Sequence, residues 1–212
     1  MDSRFQLSRR ALFWGAVAAV TGSGIRSGIA ADISATPRHI GIIGAGQVGG
    51  TLGRLWAHAG YQVMFSSRHP DQLQLILAEA GPNAQAGNVA QAIAFADVIV
   101  LAVPYKAEPE IAAQYGSALS GKTLIDADNA YAFRDGALAN EAHAAGVARY
   151  SAHLFPHTHF VRAFNSVNAS RLTDGGGGNT EIVYSATDSA AGAIAVELIK
   201  ATDSVPVRGH DL

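Results

Sequence analysis

Cysteine is absent from this 212-residue chain, which excludes disulfides, thiolate metal sites and cysteine nucleophiles together. Charge is scarce too: Asp, Glu, Lys and Arg make up 15% of the residues, and apolar types 49%. A chain this apolar and rich in Ala and Gly does not read as disordered, and its length suffices to bury the core of one domain. Long hydrophobic runs are missing. The most apolar stretch, Ala11 to Val20, is shorter than the ~20 residues a membrane-crossing helix needs. No repeat, linker or basic block interrupts the rest. Leaving out residues 1–30 takes Arg4, Arg9, Arg10, Arg26 and Asp2 from 15 basic and 17 acidic groups, for a formal charge of −5. That argues against nucleic acid as a partner.

No nucleophile, acid–base dyad or metal cluster stands out, so neither catalytic side chains nor metal ligands are assigned. His153, His157 and His159 fall close together and invite a metal or a proton-donor role. A metal would need further ligands supplied by the fold, and the expectation is surface histidines.

The first residues form a unit of their own. "SRRALFWGAVAAVTGSGIRSGIAAD" has a basic front, a short apolar run and a small-residue end at Gly28-Ile29-Ala30, the pattern of a cleavable leader. Ser8-Arg9-Arg10-Ala11-Leu12-Phe13 resembles a twin-arginine export signal. The expectation is a leader over 1–31, a single folded domain over 38–212, and an exported, periplasmic protein with no membrane span after processing. An uncleaved membrane anchor is the alternative.

Along the remainder, apolar periods of two and 3.6 alternate. Strands are expected at Arg38 to Ile43, Tyr61 to Phe65, "DVIVLAVP" from Asp97, "KTLIDAD" from Lys122, "HFVRAFNSV" from His159, "TEIVYSAT" from Thr180 and "SVPV" from Ser204. Helices are expected at Gln47 to Ala59, from Pro70 to about Gly81, at Val89 to Phe95 capped by Asn88, at Ala107 to Tyr115 and at Ser189 to Ala201. Gly175 to Gly178 should be a surface turn. Strands that are apolar on both sides, alternating with helices, predict an α/β fold: a Rossmann-type, doubly wound, mostly parallel sheet with helices on both faces.

The most specific motif is Gly44-Ala45-Gly46-Gln47-Val48-Gly49. It fits G-x-G-x-x-G and sits between a strand and a helix. Gly44 permits a tight turn, Gly46 lets backbone approach a pyrophosphate, and Gly49 lets the helix lie close on the sheet. The pyrophosphate would rest on free amides at the helix N-terminus, including those of Gln47 and Val48. Where an NAD site ends its second strand with an acid, this chain has Ser66, Ser67 and Arg68. Hydroxyls and a guanidinium suit a 2′-phosphate that a carboxylate would repel. The spacing therefore predicts NADP(H). Asp126, Asp128 and Asn129, at a strand's C-terminal end, are placed to meet ligand; Asn129 touches ribose or substrate, or else caps a turn. Tyr105 and Lys106, after Pro104, are placed to reach a second substrate.

With these residues in view, the chain from Arg38 onward resembles the deazaflavin-dependent NADP oxidoreductases, which exchange hydride between NADPH and coenzyme F420. The resemblance rests on the glycine-rich block through "FSSR", on "VLAVPY" at 100–105, "LIDADNAY" at 124–131, "VRAFNSV" at 161–167 and the closing "YSATDSAAGAIAVELI". It implies that Ala102, Val103 and Pro104 line the nicotinamide ribose, and that the segment Ala163, Phe164 and Asn165 closes the pocket near the nicotinamide. It also implies a flavin or deazaflavin as co-substrate. Hydride transfer between two rings asks little of side chains beyond holding them face to face and excluding water.

The expected activity is an NADPH-dependent oxidoreductase with a small-molecule redox substrate, a homodimer being left open. Reduction of an imine or ketone is a second option. The related pyrroline-carboxylate reductases need a helical dimerisation domain, and too few residues follow Asn165 to build one. A third option is a non-catalytic NADP-binding module that senses redox state or serves a larger complex.

Overall fold

The expected alternation is present, and the side chains of the central strands divide between two cores. The computed structural model describes residues 38–173, 180–210 and 212. The leader at 1–31 and the four-glycine run lie outside the described residues. Strands β1 (His39–Ile43), β2 (Gln62–Ser66), β3 (Ala84–Gly87), β4 (Val98–Leu101), β5 (Thr123–Asp126), β6 (His159–Arg162), β7 (Glu181–Ala186) and β8 (Val205–Arg208) form one sheet in the order β3-β2-β1-β4-β5-β6-β7-β8. The pairings from β3 through β6 are parallel; β7 runs antiparallel to β6, and β8 parallel to β7. This is the Rossmann order, with its switch point between β1 and β4.

Period-two patterning explains the layers. Along β4, Val98 and Val100 join a core with Trp56, Phe65 and Leu198, while Ile99 and Leu101 join another with Ile93, Ile111 and Phe160. Helices α1 (Gln47–His58) and α9 (Ser189–Lys200) supply Trp56 and Leu198 to the first. Helices α3 (Val89–Phe95) and α4 (Glu108–Leu119) supply Ile93 and Ile111 to the second. Asn88 caps α3 as expected, its side chain accepting from Gln91 N while Gln91 reaches back to the Asn88 amide. Trp56 ties distant parts of the chain together. Its indole donates to the Leu198 carbonyl at 2.9 Å, and its ring meets Phe164 edge-on with centroids 5.7 Å apart.

Four features depart from the sequence-based expectation. The edge strand β3 has no β-branched residue to announce it; Asn83 docks it, donating to Ala57 O at 2.9 Å and accepting from Gln62 at 3.1 Å. The segment from Pro70 splits into a 3-10 turn (Pro70–Leu73) and α2 (Gln74–Ala80). Between β5 and β6 lie three short helices, α5 (Ala132–Asp135), α6 (Ala137–Ala145) and α7 (Val147–Leu154), each of nine residues or fewer and so shorter than the window over which a helical period can be read. Strand β6 stops at Arg162 instead of running to Val167, because Phe164 adopts φ 66°, incompatible with a ladder. Helix α8 (Ala169–Thr173) follows.

Replacing Trp56 with Phe keeps an aromatic against Phe164 but leaves the buried Leu198 carbonyl without its donor. Trp56→Phe should lower unfolding free energy by about 1–3 kcal/mol, read from urea unfolding curves. Unchanged stability would mean the indole bond contributes nothing net.

Candidate functional site

At the switch point a cleft of about 800 Å³ opens beyond the C-terminal ends of β1, β2 and β4, within the size range of small-molecule sites. Its floor is the glycine turn. Gly44 has φ 100°, and a Cβ there would run into the backbone of Ala102, so no other residue fits. A Cβ on Gly49 would collide with the Gly44 carbonyl, which is how the first turn of α1 comes down onto the end of β1. Gly46 differs. It is the N-cap of α1 with φ −80°, and nothing lies within 4 Å of where its Cβ would be. No side chain caps α1 and no acid sits in its first turn. The leading amides and the positive end of the helix dipole therefore face open space, a ready anion seat.

The expected site residues divide into three groups. Gly44, Gly46, Ser66, Ser67, Arg68, Ala102, Val103 and Pro104 all line this cleft. Ser66 is buried, and its hydroxyl donates to Ile42 O at 2.8 Å, holding β2 to β1. The hydroxyl of Ser67 accepts from His69 N at 3.0 Å and shapes the loop. Arg68 is exposed and makes no ion pair or hydrogen bond among the described residues. Of the three side chains at the end of β2, Ser66 and Ser67 are thus engaged by the protein's own backbone, and Arg68 stands at the cleft without a partner among the described residues.

Gln47, Val48 and Gly49 support the turn. Gln47 faces an adjacent hollow beside α1 and α2, Val48 packs on the core, and Gly49 is buried. Asn129, Ala163 and Asn165 sit together one strand pair away, beyond β5 and β6. The Asn129 side chain donates to Asn165 O at 2.6 Å, and Ala163 is wholly buried with its methyl in the core. Arg134 holds this wall, donating to Asn129 O at 2.6 Å while paired with Asp135 at 2.9 Å.

Tyr105 does not reach the cleft. It is fully buried, its hydroxyl 3.0 Å from that of Ser151. Lys106 does line the cleft, and α4 adds Glu110 and Gln114. Spacing of four from Lys106 through Gln114 puts them on one helical face; that polar stripe after a strand end was the signal available in the sequence. His153, His157 and His159 are exposed, and among the described residues only His159 of the three has a carboxylate partner, Asp188 at 2.8 Å.

Beneath the β4 wall the fold assembles a group that residue spacing did not suggest. Asp126 and Asp128 are buried, not open to ligand, and Glu108 at the start of α4 joins them. One oxygen of each carboxylate lies within 4.8 Å of the others. Asp128 Oδ1 accepts from Val103 N at 2.7 Å, tying the cluster to the cleft lining. Arg162 pairs with Asp126 and donates to Asp128 O at 2.8 Å. Burial, reinforced by Asp126 and Asp128, pushes the Glu108 carboxyl up to about 10.

Residues 39–130, from β1 to just past β5, match the family described as NADP oxidoreductase, coenzyme F420-dependent. The fold is similar to that of an Arthrobacter sp. FB24 protein described as an F420-dependent NADP-reductase, at 25% identity and TM-score 0.69, over 83% of this chain and 86% of that one. It is also similar to a hypothetical protein of Sinorhizobium meliloti, at 28% identity and TM-score 0.66, over 82% and 84%. A reductive aminase from Aspergillus terreus, solved with NADPH and ethyl levulinate, shares the fold at 18% identity and TM-score 0.59, over 83% of this chain and 56% of that one.

Because Gly46 has room and an ordinary φ, Gly46→Val should fold with wild-type circular dichroism and melting temperature. Its side chain would occupy the anion seat and abolish binding of NADPH and NADH alike in calorimetry. Retained affinity would mean that the turn faces something else.

Proposed function

We propose that this protein is an NADPH-dependent oxidoreductase that passes hydride between NADP(H) and a flavin-like or deazaflavin acceptor. One observation carries it: a single cleft runs from the uncapped N-terminus of α1 to an unpaired Arg68 and to the Ala102–Pro104 wall. Those three features suit the parts of the dinucleotide, whose diphosphate lies between the 2′-phosphorylated adenosine ribose and the nicotinamide ribose. The NADP oxidoreductase match over 39–130 supports the cofactor, and the Arthrobacter neighbour's description supports the acceptor class.

In this proposal the chain's own residues bind and orient. The amides at Gly46 and Gln47 hold the diphosphate, and Arg68 with Ser67 holds the 2′-phosphate. The wall at Ala102–Pro104, fixed through Val103 N and Asp128, sets the height of the nicotinamide. The Asn129–Asn165 pair borders the side from which an acceptor ring would approach. The dinucleotide supplies the hydride, and the protein supplies alignment and a water-poor surface.

Export belongs to the same proposal. It rests on the twin-arginine-like pattern at 8–13, and a mature N-terminus near Asp32 in the exported fraction would support it. Retention of residues 1–31 in membranes would favour the anchor.

Two measurements test the activity. Steady-state NADPH oxidation with coenzyme F420, FMN, FAD, cyclic imines and ketones should show turnover with a flavin-like ring and not with the imines or ketones. Tight NADPH binding without turnover on any acceptor would overturn the enzymatic part and favour a binding module. Separately, Arg68→Ala should weaken NADPH about tenfold or more, the equivalent of a charge-assisted contact of roughly 1.5–3 kcal/mol. NADH affinity should stay nearly unchanged; equal losses for both would remove the phosphate role from Arg68.

A further inference from the structure

The cluster of Glu108, Asp126 and Asp128 is not needed by the hydride reaction, and its electrostatics are incomplete as they stand. Glu108 is 0% exposed and Asp128 3%, yet among the described residues neither Glu108 oxygen nor Asp128 Oδ2 has a partner in hydrogen-bond geometry, the neighbouring Ser151 hydroxyl being paired with Tyr105. Native proteins rarely bury a carboxylate this way, because an uncompensated interior charge is very costly. Other lone pairs nearby are committed. Asp126 Oδ1 accepts from Asp128 N at 2.8 Å, Asp126 Oδ2 takes Arg162, and Asp128 Oδ1 takes Val103 N. Those bonds orient the cluster, and one oxygen of each of the three carboxylates lies within 4.8 Å of the others, where a second lone pair on the Asp126 oxygen is still open to an ion.

Charge supplies the second constraint. Of the nearby cations, Arg162 neutralises Asp126, and Arg134 is taken by Asp135. When ionised, the carboxylates of Glu108 and Asp128 have no counter-charge among the described residues. One divalent ion would balance them.

We propose that Glu108, Asp126 and Asp128 form a binding site for a single hard divalent cation of the Mg²⁺, Mn²⁺ or Ca²⁺ class. The ligand chemistry selects that class: the donors are all carboxylate oxygens, with no thiol or imidazole in the group, and oxygen ligation is what these ions take. Ser151, whose hydroxyl is shared with Tyr105, borders Glu108 and Asp126 and is a further oxygen at the rim. The bound ion is structural in role. It would join the start of α4, the end of β5 and, through Asp128, the Val103 amide of the cleft wall. The proposal stands independently of the acceptor and of catalysis.

The competing way to neutralise Glu108 is to bury it as the uncharged acid, and one set of measurements separates the two. Elemental analysis of full-length protein isolated without chelator should find about one divalent ion per chain, or one Mn²⁺ after reloading, followed by electron paramagnetic resonance. Dialysis against EDTA should lower the melting temperature by about 5 °C or more, and Mn²⁺ should restore it saturably. Glu108→Gln keeps the shape and removes the charge; it should weaken Mn²⁺ at least about tenfold and abolish the EDTA response. Wild-type protein that holds no ion and melts identically with EDTA or Mn²⁺ would overturn the proposal. So would Glu108→Gln protein melting like wild type at neutral pH, since that is how a neutral buried acid would behave. If Glu108→Gln fails to fold, the wild-type ion count and chelation response decide alone.

Discussion

The approach of α1 to the sheet governs the rest of the molecule. Gly49 lies beneath the Gly44 carbonyl, and Gly44 lies against the backbone of Ala102, with no space at either position for a Cβ. This packing sets three backbones, those of β1, α1 and β4, at near-contact. Only then can the first amides of α1 stand at the switch point with neither a side chain nor a neighbouring loop in front of them. Any larger residue would push the helix away from the sheet and turn a concave anion seat into a filled joint. Trp56, farther along α1, holds the same helix from its other end by reaching Leu198 and Phe164. The helix is thus pinned at both ends, and its direction, which aims the dipole at the cleft, is not free to vary.

Legibility in the sequence tracked how local the determining physics was. The parallel core strands were readable because β4 and its neighbours are apolar on both faces, a pattern that depends only on the strand itself. The glycine turn was readable for a similar reason: three glycines at fixed spacing have few other uses between a strand and a helix. Strand β3 was not readable, since Ala84 to Gly87 owe their conformation to pairing with β2 and to Asn83 docking on Ala57. The early end of β6 was also hidden. Nothing in Ala163-Phe164-Asn165 announces a left-handed Phe164; burial against Trp56 accompanies it, and that contact is far away in the chain.

The same distinction explains the cleft. Residues whose backbone meets the cavity, such as Gly44 and Ala102, could be assigned from position alone. Side-chain roles were harder, because a hydroxyl can turn either way. Ser66 turns inward to Ile42 O, Ser67 turns to its own loop, and Tyr105 turns to Ser151. The buried acids were the least visible. Asp126 and Asp128 read as strand-end ligands, whereas the fold uses them to hold Val103 and Arg162. Glu108 was not singled out in the sequence at all: it sits in the first turn of α4, where the dipole favours negative charge, and only tertiary packing shows it to be sealed in.

Charge placement points to how the cleft would discriminate between dinucleotides. Arg38, Arg54, Arg134 and Arg162 are each engaged by a carboxylate, so recruiting one of them to a phosphate would first break an existing pair. Arg68 has no such partner and is solvated, so gripping a 2′-phosphate exchanges water for a charge-assisted contact without that prior loss. The residues from Ser66 to Pro70 contain no acid to accept the hydroxyls of an unphosphorylated ribose. In the proposed function, preference for NADP(H) would therefore have two separable sources, an attraction at Arg68 and a missing acceptor for the ribose hydroxyls of NAD(H). Removing the arginine should diminish the attraction without supplying the missing acceptor, leaving a site that binds both dinucleotides weakly rather than one that has switched to NAD(H).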